Sequence, residues 1–342
     1  MGCPASQYPE DASWKVGVLP GDGDGEILIM PSNTNIPLMP SCEPMLCRPG
    51  GTAFHSPIQP ETGMCPMQNQ YELKFNDGHT MPQLGFGLWQ VPNAQAADVV
   101  AQAIRAGYRM IDSAAAYGNE EGVGMAFKAS GLARDELFVT TKLANPNHGY
   151  DEALRAFDES LSKLGFEHVD LYLIHWPRPW EDRYIETWRA LQRVREEGRA
   201  RSIGVSNFTV PHLQRLIDET GVVPVLNQIE LHPRFQQRDM REFHQKHGIV
   251  TQSWSPLGRG HLNENKTITE FAAKYGKSWA QIVIRWHLES GLAVIPKSVT
   301  PERIRANIDV FDFKLSPEDL AQIGKLDRSD GRVGAHPDQL RP

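Results

Sequence analysis

From residue 71 onward the chain alternates between two patterns of apolar and polar positions. Short apolar runs rich in Val, Ile and Leu occupy 84–88, 110–113, 138–142, 171–175, 203–206, 226–229, 251–254 and 294–297, and their length and texture predict buried β-strands. Between them, apolar residues recur at spacings of three and four over 96–105, 151–164, 184–197, 210–219, 239–247, 279–289 and 301–308, which predicts amphipathic helices. Ahead of the first unit, Tyr71-Glu-Leu-Lys-Phe75, Asn76-Asp-Gly78 and His79-Thr-Met-Pro82 read as a hairpin with an Asp-Gly turn. Strands joined in turn through helices predict an α/β fold, a (β/α)8 TIM barrel with an N-terminal β-hairpin, and ~250 residues is the usual size of such a barrel. A doubly wound sheet is the competing architecture. It would carry a glycine-rich dinucleotide fingerprint after its first strand, and Leu84-Gly-Phe-Gly-Leu88 does not supply one.

Residues 1–66 are different. They are rich in Pro, Gly, Ser and Met, as in Gly21-Asp-Gly-Asp-Gly25 and Arg48-Pro-Gly-Gly51, without helical or strand periodicity over a useful length. They are expected to form a disordered leader, with the barrel domain spanning 67–342. Met64 and Met67 stand just before the domain-like sequence, so the leader is expected to be an upstream extension absent from the working protein. Cys3, Cys42, Cys47 and Cys65 all fall in or near it, with no Cys-x-x-Cys pair and no His-x-x-x-His spacing beside them. No metal site is therefore expected, and the barrel needs no disulfide.

With 342 residues, 40% of them hydrophobic, the chain can bury a large core. A net charge of −7 without a basic run argues against nucleic acid or an anionic membrane as partner. No window approaches ~18 apolar residues, and no basic segment precedes an apolar run at the N-terminus, so neither a membrane span nor a secretory signal is expected. A cytoplasmic monomer acting on a small molecule is the resulting expectation.

The chemistry gathers where strands end. In a barrel of this kind the site is built from the C-terminal strand ends. Asp112 ends the second predicted strand, Tyr117 lies just beyond it, and Lys142 and His175 end the third and fourth. A phenol of pKa ~10 is a weak acid, and a neighbouring ammonium is expected to lower that value. Lys142 supplies the ammonium, Asp112 the counter-charge that keeps a buried lysine ionised, and His175 a donor to orient a carbonyl oxygen. Any one of these alone is more often a salt-bridge or capping residue than a catalyst; four on neighbouring strand ends favour an acid site. Later strand ends carry Ser206, Asn207, Gln228, Trp254, Ser255, Lys297 and Ser298. Amides and hydroxyls can bond a carboxamide, an indole can stack on a planar ring, and Lys297 with Arg303 can hold a phosphate.

At these residues the sequence resembles the aldo-keto reductase family, from about Gln70 to the C-terminus. The resemblance rests on Gly85-Phe-Gly-Leu-Trp89, Asp112-Ser-Ala-Ala-Ala-Tyr117-Gly-Asn-Glu120, Thr141-Lys142-Leu, Ile174-His175-Trp-Pro, Gly204-Val-Ser-Asn207-Phe, Asn227-Gln228-Ile-Glu-Leu-His-Pro233 and Ile295-Pro-Lys297-Ser298. Within it, Gln252-Ser-Trp254-Ser-Pro-Leu-Gly258-Arg-Gly260 and Gly331-Arg-Val-Gly-Ala-His-Pro337 are similar to the bacterial 2,5-diketo-D-gluconate reductases. The resemblance implies Tyr117 as proton donor, Lys142 and Asp112 as its tuning pair, and His175 as the orienting residue, also a substrate contact with Trp89 and Trp176. It implies that Ser206, Asn207 and Gln228 hold a nicotinamide carboxamide with Trp254 stacked on the ring. Ser255, Leu257 and Gly258 would wrap the pyrophosphate, Lys297, Ser298 and Arg303 would meet a 2′-phosphate, and Asn307 the adenine side. NADPH is thus the implied cofactor, and the implied reaction is reduction of an aldehyde, ketone or diketo sugar acid to an alcohol.

Two departures bear on this. Ala144 stands where many relatives carry a Trp, which should leave the pocket roomier beside Trp89 and Trp176. Thr300 and Ala306 replace residues often found around the adenosine, leaving the phosphate discrimination to Lys297 and Arg303. A reading of a different class, an NADP(H)-binding regulatory or structural subunit without turnover, is weakened by the intact quartet.

Overall fold

A computed structural model of the chain describes residues 71–340 in full and, before them, the backbone of β1 (Trp14–Val18) and β2 (Ile27–Pro31). These two strands pair antiparallel, with Trp14 opposite Pro31 and Val18 opposite Ile27. Apolar residues alternate at Trp14, Val16 and Val18 and at Ile27 and Ile29, a strand pattern too short to stand out in the leader. The rest of that segment, with its four cysteines, lies outside the described residues.

The second unit begins with the hairpin β3 (Glu72–Lys74) and β4 (Thr80–Pro82), in which Glu72 faces Pro82 and Lys74 faces Thr80. Its Asp-Gly turn has the expected chemistry: Gly78 takes φ 97, and Asp77 Oδ1 accepts the His79 N–H at 3.1 Å. Asp77 Oδ2 also accepts from Ser202 Oγ at 2.8 Å, and Asn76 Nδ2 donates to Pro224 O at 3.2 Å, so the hairpin covers the N-terminal ends of the barrel strands.

Eight parallel strands follow in sequence order: β5 (Phe86–Gly87), β6 (Met110–Asp112), β7 (Phe138–Leu143), β8 (Val169–Ile174), β9 (Ala200–Ser206), β10 (Leu226–Glu230), β11 (Val250–Trp254) and β12 (Ala293–Val294). The sheet closes on itself. Leu84 bridges Val294, Gly85 N donates to Val294 O at 2.9 Å, and Val294 N donates to Gln83 O at 2.8 Å. The strands at this seam, β5 and β12, are two residues each, shorter than the apolar runs predict, and the β5 segment also makes close contacts through its glycines. A Cβ at Gly85 would sit 2.3 Å from Met110 Cε, and one at Gly87 would sit 3.0 Å from Ile295 O.

Around the barrel lie α1 (Asn93–Arg105), α2 (Glu120–Ser130), α3 (Tyr150–Leu164), α4 (Tyr184–Glu196), α5 (Val210–Thr220), α6 (Arg238–His247), α7 (Lys266–Tyr275), α8 (Trp279–Glu289), α9 (Pro301–Ile308) and α10 (Pro317–Gly324). Three of these, α2, α7 and α10, were not among the predicted helices. In α2 the glycines that thin its apolar stripe are what let it pack: a Cβ at Gly124 would lie 2.1 Å from Leu164 O. Helices α7 and α10 are short and depend on N-caps, Asn265 accepting from Ile268 N and Ser316 from Asp319 N.

One apolar cluster joins helices to the outside of the sheet, and a second, with Phe75, Met81, Met110, Leu171, Leu173 and Leu226, fills the barrel above the hairpin. That filling leaves the polar residues of the sheet at its opposite, C-terminal mouth.

Candidate active site

The strand ends deliver their polar side chains to one place. Asp112 is the last residue of β6, Lys142 lies one residue before the end of β7, and His175 follows β8 directly. Tyr117 rides on a single 3-10 turn, Ala115–Tyr117, released by Gly118 at φ 65. The Lys142 ammonium is fully buried and has an oxygen for each of its three protons: Asp112 Oδ1 at 2.5 Å, Ser113 O at 2.8 Å and the Tyr117 hydroxyl at 3.5 Å. The Tyr117 ring stands edge-on to His175, centroids 5.5 Å apart.

Burial pushes the Tyr117 phenol above its ordinary value, and the Lys142 ammonium pulls against that rise without reversing it. The net lowering expected from the Lys142 charge is therefore not what the geometry gives, because removal of water around the phenol outweighs one ammonium. Burial would depress Lys142, but the Asp112 carboxylate and the Tyr117 hydroxyl hold it above its usual range, so it stays charged. Burial and the Lys142 charge push His175 down to about 3. At neutral pH it is an uncharged imidazole, able to donate one hydrogen bond without competing for the proton.

Beside this quartet lies a second network. Ser206 ends β9, Gln228 sits within β10 and Trp254 ends β11. Asn207, at φ 65, donates through Nδ2 to His175 O at 2.9 Å and to Ser206 Oγ at 3.0 Å, while its Oδ1 accepts the Trp254 indole N–H at 2.8 Å. Gln228 Nε2 donates to Asp112 Oδ2 and to Gln252 Oε1, each at 2.7 Å. Its Oε1 has no hydrogen-bond partner among the described residues and is the end left for a ligand.

A cavity of about 850 Å³ opens over both networks. Asp112, Tyr117, His175, Trp89, Trp176, Ser206, Asn207, Gln228, Trp254, Ser255, Leu257 and Lys297 line it, and Lys142 lies beneath its floor. Gly258, Ser298, Arg303 and Asn307 are not on its wall. Ser298 Oγ is engaged with Thr300 N at 3.1 Å, and α9 carries Arg303 exposed and Asn307 buried. Ala144, expected to enlarge the pocket, is not on the wall either; its neighbours Asn145 and Pro146 are.

Several contributors lay outside the sequence reading. Gln252 is buried beside Gln228, and its position two residues before Trp254 on one strand face was the signal. Asn119 accepts from Ser113 Oγ at 2.7 Å and donates to Leu88 O and Val91 O, tying the Trp89 loop to the acid site. Gln90, Arg259 and Ala335 also reach the cavity, with the Arg259 guanidinium 5.2 Å from the Trp89 ring centroid.

The lining fits a planar ring bearing a carboxamide: the amide oxygen of Gln228, the Ser206 hydroxyl held by Asn207 Nδ2 and Gln228 O, an indole held at its N–H, and the cation Lys297 at the rim. A closed barrel whose C-terminal mouth holds a phenol over a buried lysine–aspartate pair, beside such a lining, has the architecture of a cofactor-dependent barrel enzyme.

The chain belongs to the Aldo/keto reductase family, whose signature matches residues 83–328, and is an oxidoreductase of that family. Methylglyoxal reductase DkgA of Escherichia coli (strain K12) is 52% identical over 276 residues, covering 80% of this chain and 99% of the relative. A Gox0644 variant solved in complex with NADPH superposes with a TM-score of 0.77 at 51% identity, over 80% of this chain and 99% of that one. A putative 2,5-diketo-D-gluconic acid reductase B gives a TM-score of 0.72 at 34% identity, over 75% and 91%. The family and the (β/α)8 fold are those implied by the sequence motifs. No helix among the described residues is long and apolar enough to cross a membrane.

Proposed function

We propose that this chain is an NADPH-dependent carbonyl reductase in which Tyr117 donates the proton. The observation that carries the reading is the Tyr117 hydroxyl 3.5 Å from Lys142 Nζ, itself 2.5 Å from Asp112, under a cavity large enough for a ring and a small substrate. When bound, reduced NADPH supplies a hydride to the carbonyl carbon. Ser206, Asn207 and Gln228 would hold the carboxamide with Trp254 beside the ring, and Ser255, Leu257 and Gly258 would hold the pyrophosphate. Lys297, at the rim, would meet the 2′-phosphate first, with Ser298 and Arg303 beside it and Asn307 toward the adenine side. The neutral His175 orients the carbonyl oxygen by a hydrogen bond, and Tyr117 passes its hydroxyl proton to that oxygen. Lys142 then stabilises the phenolate left behind, and Asp112 keeps Lys142 charged. Trp89 and Trp176 supply apolar walls for the substrate.

The substrate class is small aldehydes, ketones and dicarbonyls, with diketo sugar acids among the candidates. The near relative named a methylglyoxal reductase supports the small dicarbonyl end of that range. The test is NADPH consumption across a carbonyl panel. Wild type is active, and Tyr117→Phe loses about 10²–10⁴-fold, the worth of a positioned acid, while still quenching Trp fluorescence on binding NADPH. NADPH bound by wild type and never consumed would replace this reading with a non-catalytic binding subunit.

A further inference from the structure

The Glu230 side chain makes no hydrogen bond to either of the two networks described above, yet Glu230 is the last residue of β10 and lies in register with Trp254 on β11. Its side chain is fully buried, and all of its partners but one come from the end of the chain. Oε1 accepts the backbone N–H of Val333 at 2.6 Å, Oε2 accepts that of Gly334 at 2.8 Å, and the Arg332 guanidinium approaches to 3.9 Å. The exception is His232, whose Nε2 lies 3.1 Å from Oε1. Burial alone would raise this carboxyl, but the hydrogen bonds from His232, Val333 and Gly334 hold it below the usual carboxylate range, so it works as an anion.

The segment it grips is seated with no slack. A Cβ at Gly334 would fall 2.3 Å from the Trp254 ring and 2.8 Å from Glu230 Oε2, and the next residue, Ala335, forms part of the cavity wall. Beyond it, among the described residues, Pro337 is buried and Asp338 lies 3.3 Å from His212 Nε2 at a half-exposed site, a weaker polar anchor than a buried carboxylate. Trp254 is thus fixed from two sides, its N–H by Asn207 and its far edge by the tail.

We propose that Glu230 is a positioning residue that docks the C-terminal tail against Trp254, so that the fit of the substrate depends on a buried charge that contacts neither substrate nor cofactor. The inference rests on the cavity being the carbonyl site. Losing the carboxylate lifts Ala335 from the wall, which loosens the hold on a small carbonyl and makes room for a larger one, with the proton-donating quartet unchanged.

The test has two arms. In limited trypsin digestion of the full chain followed by intact mass, Glu230→Gln loses the tail at Arg332 about tenfold faster than wild type, the worth of one charge-assisted hydrogen bond. With NADPH saturating, the KM for methylglyoxal rises about tenfold in Glu230→Gln, that for 4-nitrobenzaldehyde does not, and kcat stays within about twofold for both. A chain ending at Gly331 shows the same shift, and adding Glu230→Gln to it changes nothing further, because the carboxylate has no tail left to hold. Gly334→Val, which displaces the tail without altering the barrel, reproduces the shift should Glu230→Gln fold poorly. Equal tail protection, additive effects in the shortened chain, or a fall in kcat at constant KM would each overturn the proposal. Should wild type reduce neither carbonyl, the proposed function falls and the tryptic comparison alone decides the anchor.

Discussion

Gln228 Nε2 donates to Asp112 Oδ2 at 2.7 Å, so one hydrogen bond joins the seat proposed for the nicotinamide to the counter-ion of the acid. Asp112 spends its other oxygen on Lys142, and the same Gln228 amide nitrogen also reaches Gln252 Oε1. With both protons committed, Gln228 can present only its carbonyl oxygen to the cavity. Gln228→Leu should therefore damage two functions at once: weaker NADPH binding, from the lost acceptor, and lower kcat, from a carboxylate left one hydrogen bond short. A buried polar group so abandoned costs about 1–3 kcal/mol. Fluorescence titration with NADPH together with single-turnover kinetics checks it; a change in KM for NADPH at unaltered kcat would show that the two sites are not linked.

Lys142→Met strands the Asp112 carboxylate in the barrel floor. Removing one member of a buried ion pair costs about 3–5 kcal/mol, and urea unfolding should register that loss. Adding Asp112→Asn should restore most of the stability without restoring activity. Because Lys142 restrains the rise of the Tyr117 phenol, any residual activity of Lys142→Met should hold to higher pH than that of wild type. An alkaline limb that moves down would contradict the assigned role.

The quartet was legible because Asp112, Lys142 and His175 stand at the ends of unmistakable apolar runs, with Tyr117 on the turn just after the first of them, and consecutive parallel strands must be neighbours. Strands β6 to β11 were legible for the same reason. The seam between β5 and β12 was less so, since each strand is only two residues long and Gly85 and Gly87, which pair across it, carry no side chain to mark a strand. Helix α2 was hidden by the glycines that let it pack. The direction of the Tyr117 shift was out of reach: spacing names the charged neighbour but not how much water burial removes. Glu230 lay in a motif already visible, yet its partners in the tail are more than a hundred residues further on, a separation no local pattern reports.

Acid should destabilise the fold through its buried imidazoles. Burial holds His244 at about 3 and His287 at about 4, against ~6.5 for an unfolded histidine. The unfolded chain then binds protons between those values that the folded chain does not, so stability is whole above ~6.5 and drains as pH falls toward 4. Each such imidazole contributes up to ~1.4 kcal/mol per pH unit over that window. Urea midpoints measured at several pH values should show the slope, and His244→Asn should flatten it.

Lys297 lines the cavity at its exposed rim, whereas Arg303 stands off the wall on α9. If a 2′-phosphate is read at this rim, Lys297 carries more of the discrimination than Arg303. Lys297→Met should raise the KM for NADPH about tenfold while leaving that for NADH nearly unchanged, and Arg303→Met should do so less. Wild type using NADH as well as NADPH would remove the preference altogether.

Arg259 and Trp89 meet across the cavity mouth, guanidinium to ring centroid 5.2 Å, from the loops after β11 and β5. Arg259 is held at φ 51 in a turn with Gly258 at φ 56 and Gly260 at φ 90, so the loop that carries it is bent toward the ring by backbone geometry. A cation over an exposed indole contributes about 0.5–1 kcal/mol, enough to slow the opening of that clasp by roughly two- to fivefold. Arg259→Ala should therefore speed NADPH release by that factor in stopped-flow fluorescence, without altering the rate of the chemical step in a single turnover. If product release limits turnover, kcat rises with it. An unchanged release rate would mean that the two side chains meet without gating the mouth.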